Sequence, residues 1–439
     1  MTAEIAILNK EAVALAADSA VTIETGTGRK IFNTTNKLFT LSRYAPVGVM
    51  VYGGAQMMRT PWETIIKVYR QQLGRRTFDT VEEYFKDFLA FLTKSSQLFP
   101  SKVQEQYFHD SIAATLVRIR RDVEKSIDTT LKASKQVTAS QIQAILDQVV
   151  DTYERSISSR PPLSHLRRSE IKKLRARSKV VTAKIASEVF ENIPISKKSI
   201  MALIEIAVGL CTRETFDRAN SGIVIAGFGE EEIFPSLYEI VVGGLMHGIL
   251  QYKLGRQEAI RHDNSASIIP FAQHEMVVAF MEGIDPNCRS TIEAYWKTIF
   301  ERYPMEVLKA VPGMSDNDKT TLRRKLEAAG KSTFEEFQKH LSAYQRRELV
   351  DPVVSAVAVL PKDLLAEMAE SLVNLTSFKR RMSMTAAETV GGPIDVAVIS
   401  KGDGFVWIKR KHYFKPELNP QFFARYIGGA DASSQKTLR

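Results

Sequence analysis

Thr2, Asp18, Lys37 and the pair Gly53-Gly54 are the residues whose types and spacing could do chemistry together. Initiator methionine is normally removed when the next residue is small, and threonine qualifies. Thr2 would then carry a hydroxyl nucleophile beside an α-amino group, whose pKa is ordinarily about 7.7–8.0. Such an amine can take the hydroxyl proton near neutral pH. Asp18 closes an apolar run further along the chain. Lys37 is a cation that would disfavour a protonated amine. Paired glycines let backbone N–H groups approach a substrate and face a developing oxyanion.

Short strands must position these groups. Residues 4–8 and 12–17 read as strands by content and length, with Asn9, Lys10 and Glu11 as the turn. A hairpin symmetric about Lys10 sets Leu8 opposite Ala12 and Thr2 opposite Asp18. Ala12, Ala14 and Ala16 then floor the site, and Ile5, Ile7, Val13 and Leu15 form the core face. The stretch "NKLFTLS" reads as a third strand opening on Lys37, and "PVGVMVYGGAQ" as a fourth ending in Gly53-Gly54. In "TPWE" the pattern places Thr60 as N-cap, Pro61 at the first helical position and Glu63 in a capping box.

In this order the first 60 or so residues resemble proteasome β-subunits and the bacterial HslV-type peptidases, within the N-terminal-nucleophile hydrolases. Asp18 stands in "AADS", Lys37 in "NKLF" and the glycines in "YGGA". Lys30 in "RKIF" is a rival for the lysine but lies too far from the glycines. "SGIVIAGFGEEEIFPSLYEI" resembles the family's central hairpin, and "ETVGGPIDVAVISKGDGFVWI" its final strand pair. The resemblance implies an α+β fold: a four-layer αββα sandwich, here with long helical insertions. It implies a threonine-type hydrolase, a peptidase or amidase. Thr2 is the nucleophile, Asp18 and Lys37 set the local charge, and the Gly53 and Gly54 N–H groups hold the oxyanion. It implies a peptide or amide substrate, no metal or organic cofactor, and a homo-oligomer in which rings enclose the sites. The family also carries an Asp and a Ser before the last glycine pair, where this chain has Ala387 (with Glu388 one residue late) and Val390. A further supporting serine would be Ser265 or Ser267.

Composition bounds the rest. The chain has 439 residues and 44% apolar content, ample for a core. No apolar run is long enough for a membrane span, and no basic region leads into a long apolar one at the N-terminus, so a cytoplasmic protein is expected. Cys211 and Cys288 are too few for a disulfide scaffold and read as core packing. The net charge of +10 is concentrated between Arg155 and Lys198, where twelve Lys and Arg meet three acids. With almost no aromatics there, a solvated helical face is the better reading than a nucleic-acid surface.

The segments are expected as follows. Residues 1–60 hold the first strands and the catalytic set, and 61–218 a helical segment and insertion. Residues 219–285 hold the central hairpin and a core helix, and 286–350 a second helical insertion. Residues 351–425 hold the last core helix and terminal strands, and 426–439 a disordered tail. Within the second insertion, "GKST" reads as a break between helices, with Gly330 ending one and Ser332 capping the next. Two other functions fit the same residues. One is an inactive scaffold or binding protein, which Ala387 and Val390 favour. The other is an anion-binding or nucleic-acid module using the basic segment.

Overall fold

The structure, a computed structural model, describes residues 3–25, 28–191, 193–216, 220–310, 313–382, 391–422 and 424. Thr2, Ala387, Glu388, Val390 and the 426–439 tail lie outside these residues.

Strands β1 (Ala3–Asn9), β2 (Ala12–Ala17), β3 (Val21–Thr25), β4 (Gly28–Phe32), β5 (Leu38–Thr40), β6 (Val47–Gly53), β7 (Gln56–Met57) and β8 (Thr60–Pro61) open the chain. Helices α1 (Trp62–Leu73), α2 (Val81–Lys94), α3 (Ser101–Ser134), α4 (Ala139–Ser158), α5 (Arg168–Val189) and α6 (Lys197–Thr212) follow. Then come β9 (Ser221–Gly227), β10 (Ser236–Met246), β11 (Ile249–Ala259) and β12 (Ala266–Ala272). Helices α7 (Glu275–Glu282), α8 (Pro286–Ala310), α9 (Asp316–Gln345), α10 (Asp351–Val357) and α11 (Lys362–Met382) lead to β13 (Asp395–Ser400) and β14 (Gly404–Lys409). The fold is mixed α/β, with antiparallel sheets.

Two compact units divide the chain. Met1–Leu38, Ile260–Ile399 and Phe405–Arg439 form the first; Phe39–Ala259 and Ser400–Gly404 form the second. The first unit is built on a five-stranded sheet ordered β12-β1-β2-β13-β14. One face carries Ile5, Ile7, Ala14, Ala16, Val396 and Val398, and packs on Leu365, Ala369, Leu372 and Val373 of α11. Those α11 positions recur at helical spacing, so one stripe of the helix meets the sheet. Burying each large aliphatic side chain there contributes about 1.5–3 kcal/mol. Every residue of β1 and β2 is buried, so both faces of these strands are covered.

The hairpin differs from the expected register by one residue. Ile5 pairs with Ala16, Ile7 with Ala14 and Leu8 with Val13, which brings Ala3 opposite Asp18. The loop is Lys10-Glu11, because Asn9 stays in the β1–β12 ladder opposite Ala266. Its side-chain oxygen accepts from the N–H groups of Glu11 and Ala12, both at 3.0 Å, and so closes the turn. A one-residue slip exchanges faces. Ala14 and Ala16 therefore lie with Ile5 and Ile7 on the helix-covered side, and Val13 and Leu15 on the other. The hairpin β3–β4 was absent from the expected order, so Lys37 precedes the fifth strand rather than opening the third.

The second unit holds a sheet ordered β11-β10-β9-β6-β5. Val47, Val49, Val51, Ile223 and Ile225 on one face pack against Trp62, Ile66 and Tyr69 of α1 and Tyr84 and Phe88 of α2. Thr60 does not cap α1. It lies in β8, and Pro61 occupies the cap position with no side-chain bond. Helices α3 to α6 bury a separate core that includes Phe108, Leu116, Leu146, Leu174, Leu203 and Cys211. The basic α5 contributes Leu174, Ile185 and Ala186 to it. Arg175 of α5 pairs with Glu205 of α6 at 2.8 Å, on partly exposed surface.

Two further expectations are corrected. Helix α9 runs unbroken through Gly330. A Cβ at Gly330 would lie 3.1 Å from the Phe300 ring of α8, so the glycine serves close helix packing rather than a stop. Cys211 is buried, which pushes its thiol up to about 12, whereas Cys288 is exposed and is not a core residue. Among the described residues no helix is long and apolar enough to cross a membrane.

Candidate catalytic site

In the first unit, Asp18 follows the last residue of β2 and is buried beside Ala3, where β1 begins. Ala3 donates its N–H to Asp18 Oδ1 at 3.1 Å, and Asp18 donates its own N–H to the Ala3 carbonyl at 3.1 Å. The N–H of Gly391 reaches Asp18 Oδ2 at 2.9 Å, with Ala20 N–H further off at 3.4 Å. Lys37 Nζ completes the set by donating to Asp18 Oδ1. A carboxylate with this many donors is held in one orientation.

Lys37 has a second acid that sequence reasoning missed. Glu4 Oε1 lies 3.0 Å from Lys37 Nζ, and the side chain of Glu4 is fully buried. An acidic residue within the apolar run of β1 is the signal that could have found it. Asp18 and Glu4 thus share one ammonium in a buried place, and Asp18 is also held by backbone N–H donors. Nearby, Lys411 pairs with the buried Asp395, which opens β13. Burial is the largest influence on Lys411 and lowers its pKa; the bond to Asp395 opposes this, and the charge of Lys37 adds to it. The two cation–carboxylate groups thus sense each other's field.

The turn after Asp18 is tied to the glycine pair before β13. Ser19 donates its N–H to the Gly391 carbonyl at 3.2 Å and its hydroxyl to the Pro393 carbonyl. Gly392 has φ +77°, and a Cβ there would lie 2.7 Å from the Asn33 carbonyl. The glycine pair matters here as a bracket for Asp18.

Ser267, one of the two expected supporting serines, is not at this end. It pairs with Leu8 on β12, five register steps from Ala272, which pairs with Ala3; that is roughly 17 Å along a strand. Ser265, two residues earlier, lies just before β12 begins. Gln273 stands at the Ala3 end instead. Ala272 has φ +59°, a left-handed turn out of the strand before α7. Gln273 follows it at 4% exposure, and neither its amide oxygen nor its nitrogen has a hydrogen-bond partner among the described residues. No residue-type pattern marks such a glutamine in the sequence.

Gly53 and Gly54 belong to the second unit, at the end of β6. Gly53 has φ +75° and pairs with Ser221 in the β6–β9 ladder. Gly54 donates its N–H to the Asn220 carbonyl at 3.2 Å, so that donor is already engaged. Lys30, the rival lysine, is exposed on β4, with its ammonium 5.1 Å from the Phe32 ring centre. Thr2 itself lies outside the described residues. Among those described, no group of three or more His, Cys, Asp or Glu is placed to hold a metal ion.

No protein-family model matches this chain, and no curated protein matches it.

Proposed function

We propose that the protein is an N-terminal-threonine amidohydrolase acting on peptide or amide bonds. The observation that carries this reading is the Asp18–Lys37 contact, with Asp18 also bonded to the N–H of Ala3. That N–H belongs to the peptide joining Thr2 to Ala3, so a polar, charged cluster is built at the first peptide of the mature chain. In the mechanism, the free α-amine of Thr2 takes the hydroxyl proton as the oxygen attacks the carbonyl. The C–N bond breaks with proton return to the leaving amine, and water then releases the ester. By resemblance alone, the oxyanion is assigned to the backbone of the Gly53-Gly54 pair.

We further propose the four-layer αββα arrangement for the core. Its support is that β1, β2 and β9 are buried along their whole length, although helices account for only one face of each. Assembly of several copies, enclosing the sites, belongs to the same reading, as does a cytoplasmic setting.

The second reading, a scaffold that keeps the fold without turnover, is favoured by Glu4. Its carboxylate shares the Lys37 ammonium, which weakens that cation's power to keep a neighbouring amine unprotonated.

One experiment separates the two. Intact-mass analysis should show loss of Met1. A peptide epoxyketone or β-lactone should then add once per chain, at Thr2, and not at all to Thr2→Ala. A retained Met1, or no adduct across several such reagents, sinks the hydrolase.

Gln273 gives a graded check. Gln273→Leu removes an unpartnered buried amide, so it is expected to leave stability unchanged or raise it by about 1 kcal/mol. Adduct formation at Thr2 is expected to slow by about tenfold if that amide serves the reacting groups. Urea denaturation and the labelling rate measure the two effects. A loss of stability with an unchanged labelling rate would make Gln273 a packing residue only.

A further inference from the structure

A polar cleft of about 320 Å³ lies in the first unit, lined by Ile31, Asn33, Asn374, Ser377, Arg381, Gly391 and Gly392. Asn374, Ser377 and Arg381 are spaced i, i+3 and i+7 on α11, so they share one face of the helix. Their side chains offer an amide, a hydroxyl and a guanidinium. Asn33 adds a second amide, and no acidic side chain lines the cleft.

Among the described residues, two of these groups lack partners. Helix α11 ends in three consecutive cations. Lys379 pairs with Asp285 at 2.9 Å and Arg380 with Glu275 at 3.7 Å. Arg381 has no ion pair among the described residues, and it is the one of the three that lines the cleft. Ser377 is 5% exposed, and its hydroxyl has no hydrogen-bond partner among the described residues. The neighbouring Thr376 follows the usual helical habit and donates to the Leu372 carbonyl at 2.9 Å. A buried hydroxyl without a partner, beside a planar cation without a counter-ion, suits a planar anionic ligand that accepts from both.

We infer that this cleft binds a carboxylate. Arginine presents two parallel N–H donors that match a carboxylate's oxygens, and the amides and hydroxyl supply further donors around it. The cleft also touches the site already described, because Gly391 both lines it and donates its N–H to Asp18. Assigning that carboxylate to the substrate, as a free C-terminus or acidic side chain held beside the reacting centre, rests on the hydrolase reading. The cleft's own chemistry does not.

The test uses the full chain and two probes, acetyl-trialanine as the free acid and as the C-terminal amide. Isothermal titration calorimetry is expected to show at least tenfold tighter binding of the acid. Succinate should compete with it. Arg381→Ala should abolish the preference, and Arg381→Lys should restore only part of it, because an ammonium keeps the charge but not the fork. Ser377→Ala should weaken the acid several-fold and leave the amide unchanged. Equal binding of the two peptides, no binding of either, or a preference that survives both Arg381→Ala and Ser377→Ala overturns the inference. So does tighter binding of inorganic phosphate than of the free-acid peptide. A Thr2 adduct without carboxylate preference removes the cleft and leaves the hydrolase. Carboxylate preference without an adduct keeps the cleft and removes the hydrolase.

Discussion

Lys37→Met is expected to destabilise the protein by about 3–5 kcal/mol, the cost of leaving a buried charge group without its partner. The substitution keeps a chain of similar length and apolar character but removes the ammonium. Asp18 and Glu4 would then be two buried carboxylates that have both lost the Lys37 ammonium. The N–H donors from Ala3, Ala20 and Gly391 remain on Asp18, whereas Glu4 loses the ammonium that lies 3.0 Å from its Oε1. Urea denaturation measures the loss as a shift of the midpoint. A triple variant, Glu4→Gln/Asp18→Asn/Lys37→Met, removes the charges together and is expected to recover at least half of the stability, because a buried ion cluster is worth little net once both signs are gone. A loss under 1 kcal/mol in the single variant, or no recovery in the triple, would show that these charges are not coupled. In the hydrolase reading both variants also lose Thr2 labelling, so restored stability without restored labelling separates folding from chemistry.

The cluster was only partly legible in the sequence. Asp18 and Lys37 could be paired because each sits at the border of an apolar run, where a charge has to be explained. Glu4 stands out as an acid in an apolar run but cannot be placed from that alone, since alternation along β1 is compatible with a solvent-facing acid. Only the complete burial of both strands excludes that. The register error has a similar origin. Asparagine favours turns, which puts Asn9 in the expected loop, yet it shapes the loop through its side chain while its backbone stays in the ladder. Gly330 shows the limit from the helical side. Glycine weakens a helix but does not end one when a neighbouring helix must come close, and nothing in the local sequence announces Phe300. Gln273 and the Arg381 cleft depend on groups being left without partners, which is a property of the folded surroundings rather than of residue order.

Gly53→Ala is expected to cost about 3 kcal/mol, and its components can be separated with two other glycines of the second unit. Gly53 combines φ +75° with a carbonyl in the way: a Cβ would lie 2.5 Å from the Asn220 oxygen. Gly248 has φ +80° with nothing within 4 Å of its would-be Cβ, so Gly248→Ala should cost only the left-handed backbone penalty, about 1–2 kcal/mol. Gly402 has open space and no positive φ, so Gly402→Ala should be close to neutral. The excess of Gly53→Ala over Gly248→Ala then measures the collision with Asn220, about 1–3 kcal/mol for an overpacked site. Equal losses at Gly53 and Gly248 would mean that the Asn220 loop yields freely. This comparison bears on function, because paired glycines at a strand end invite an oxyanion interpretation by themselves. Here Gly53 already has a reason to be glycine in the approach of Asn220, and Gly54 spends its N–H on the same residue. The glycine pair is therefore weak support for catalysis, and the hydrolase reading has to stand on Thr2, Asp18 and Lys37.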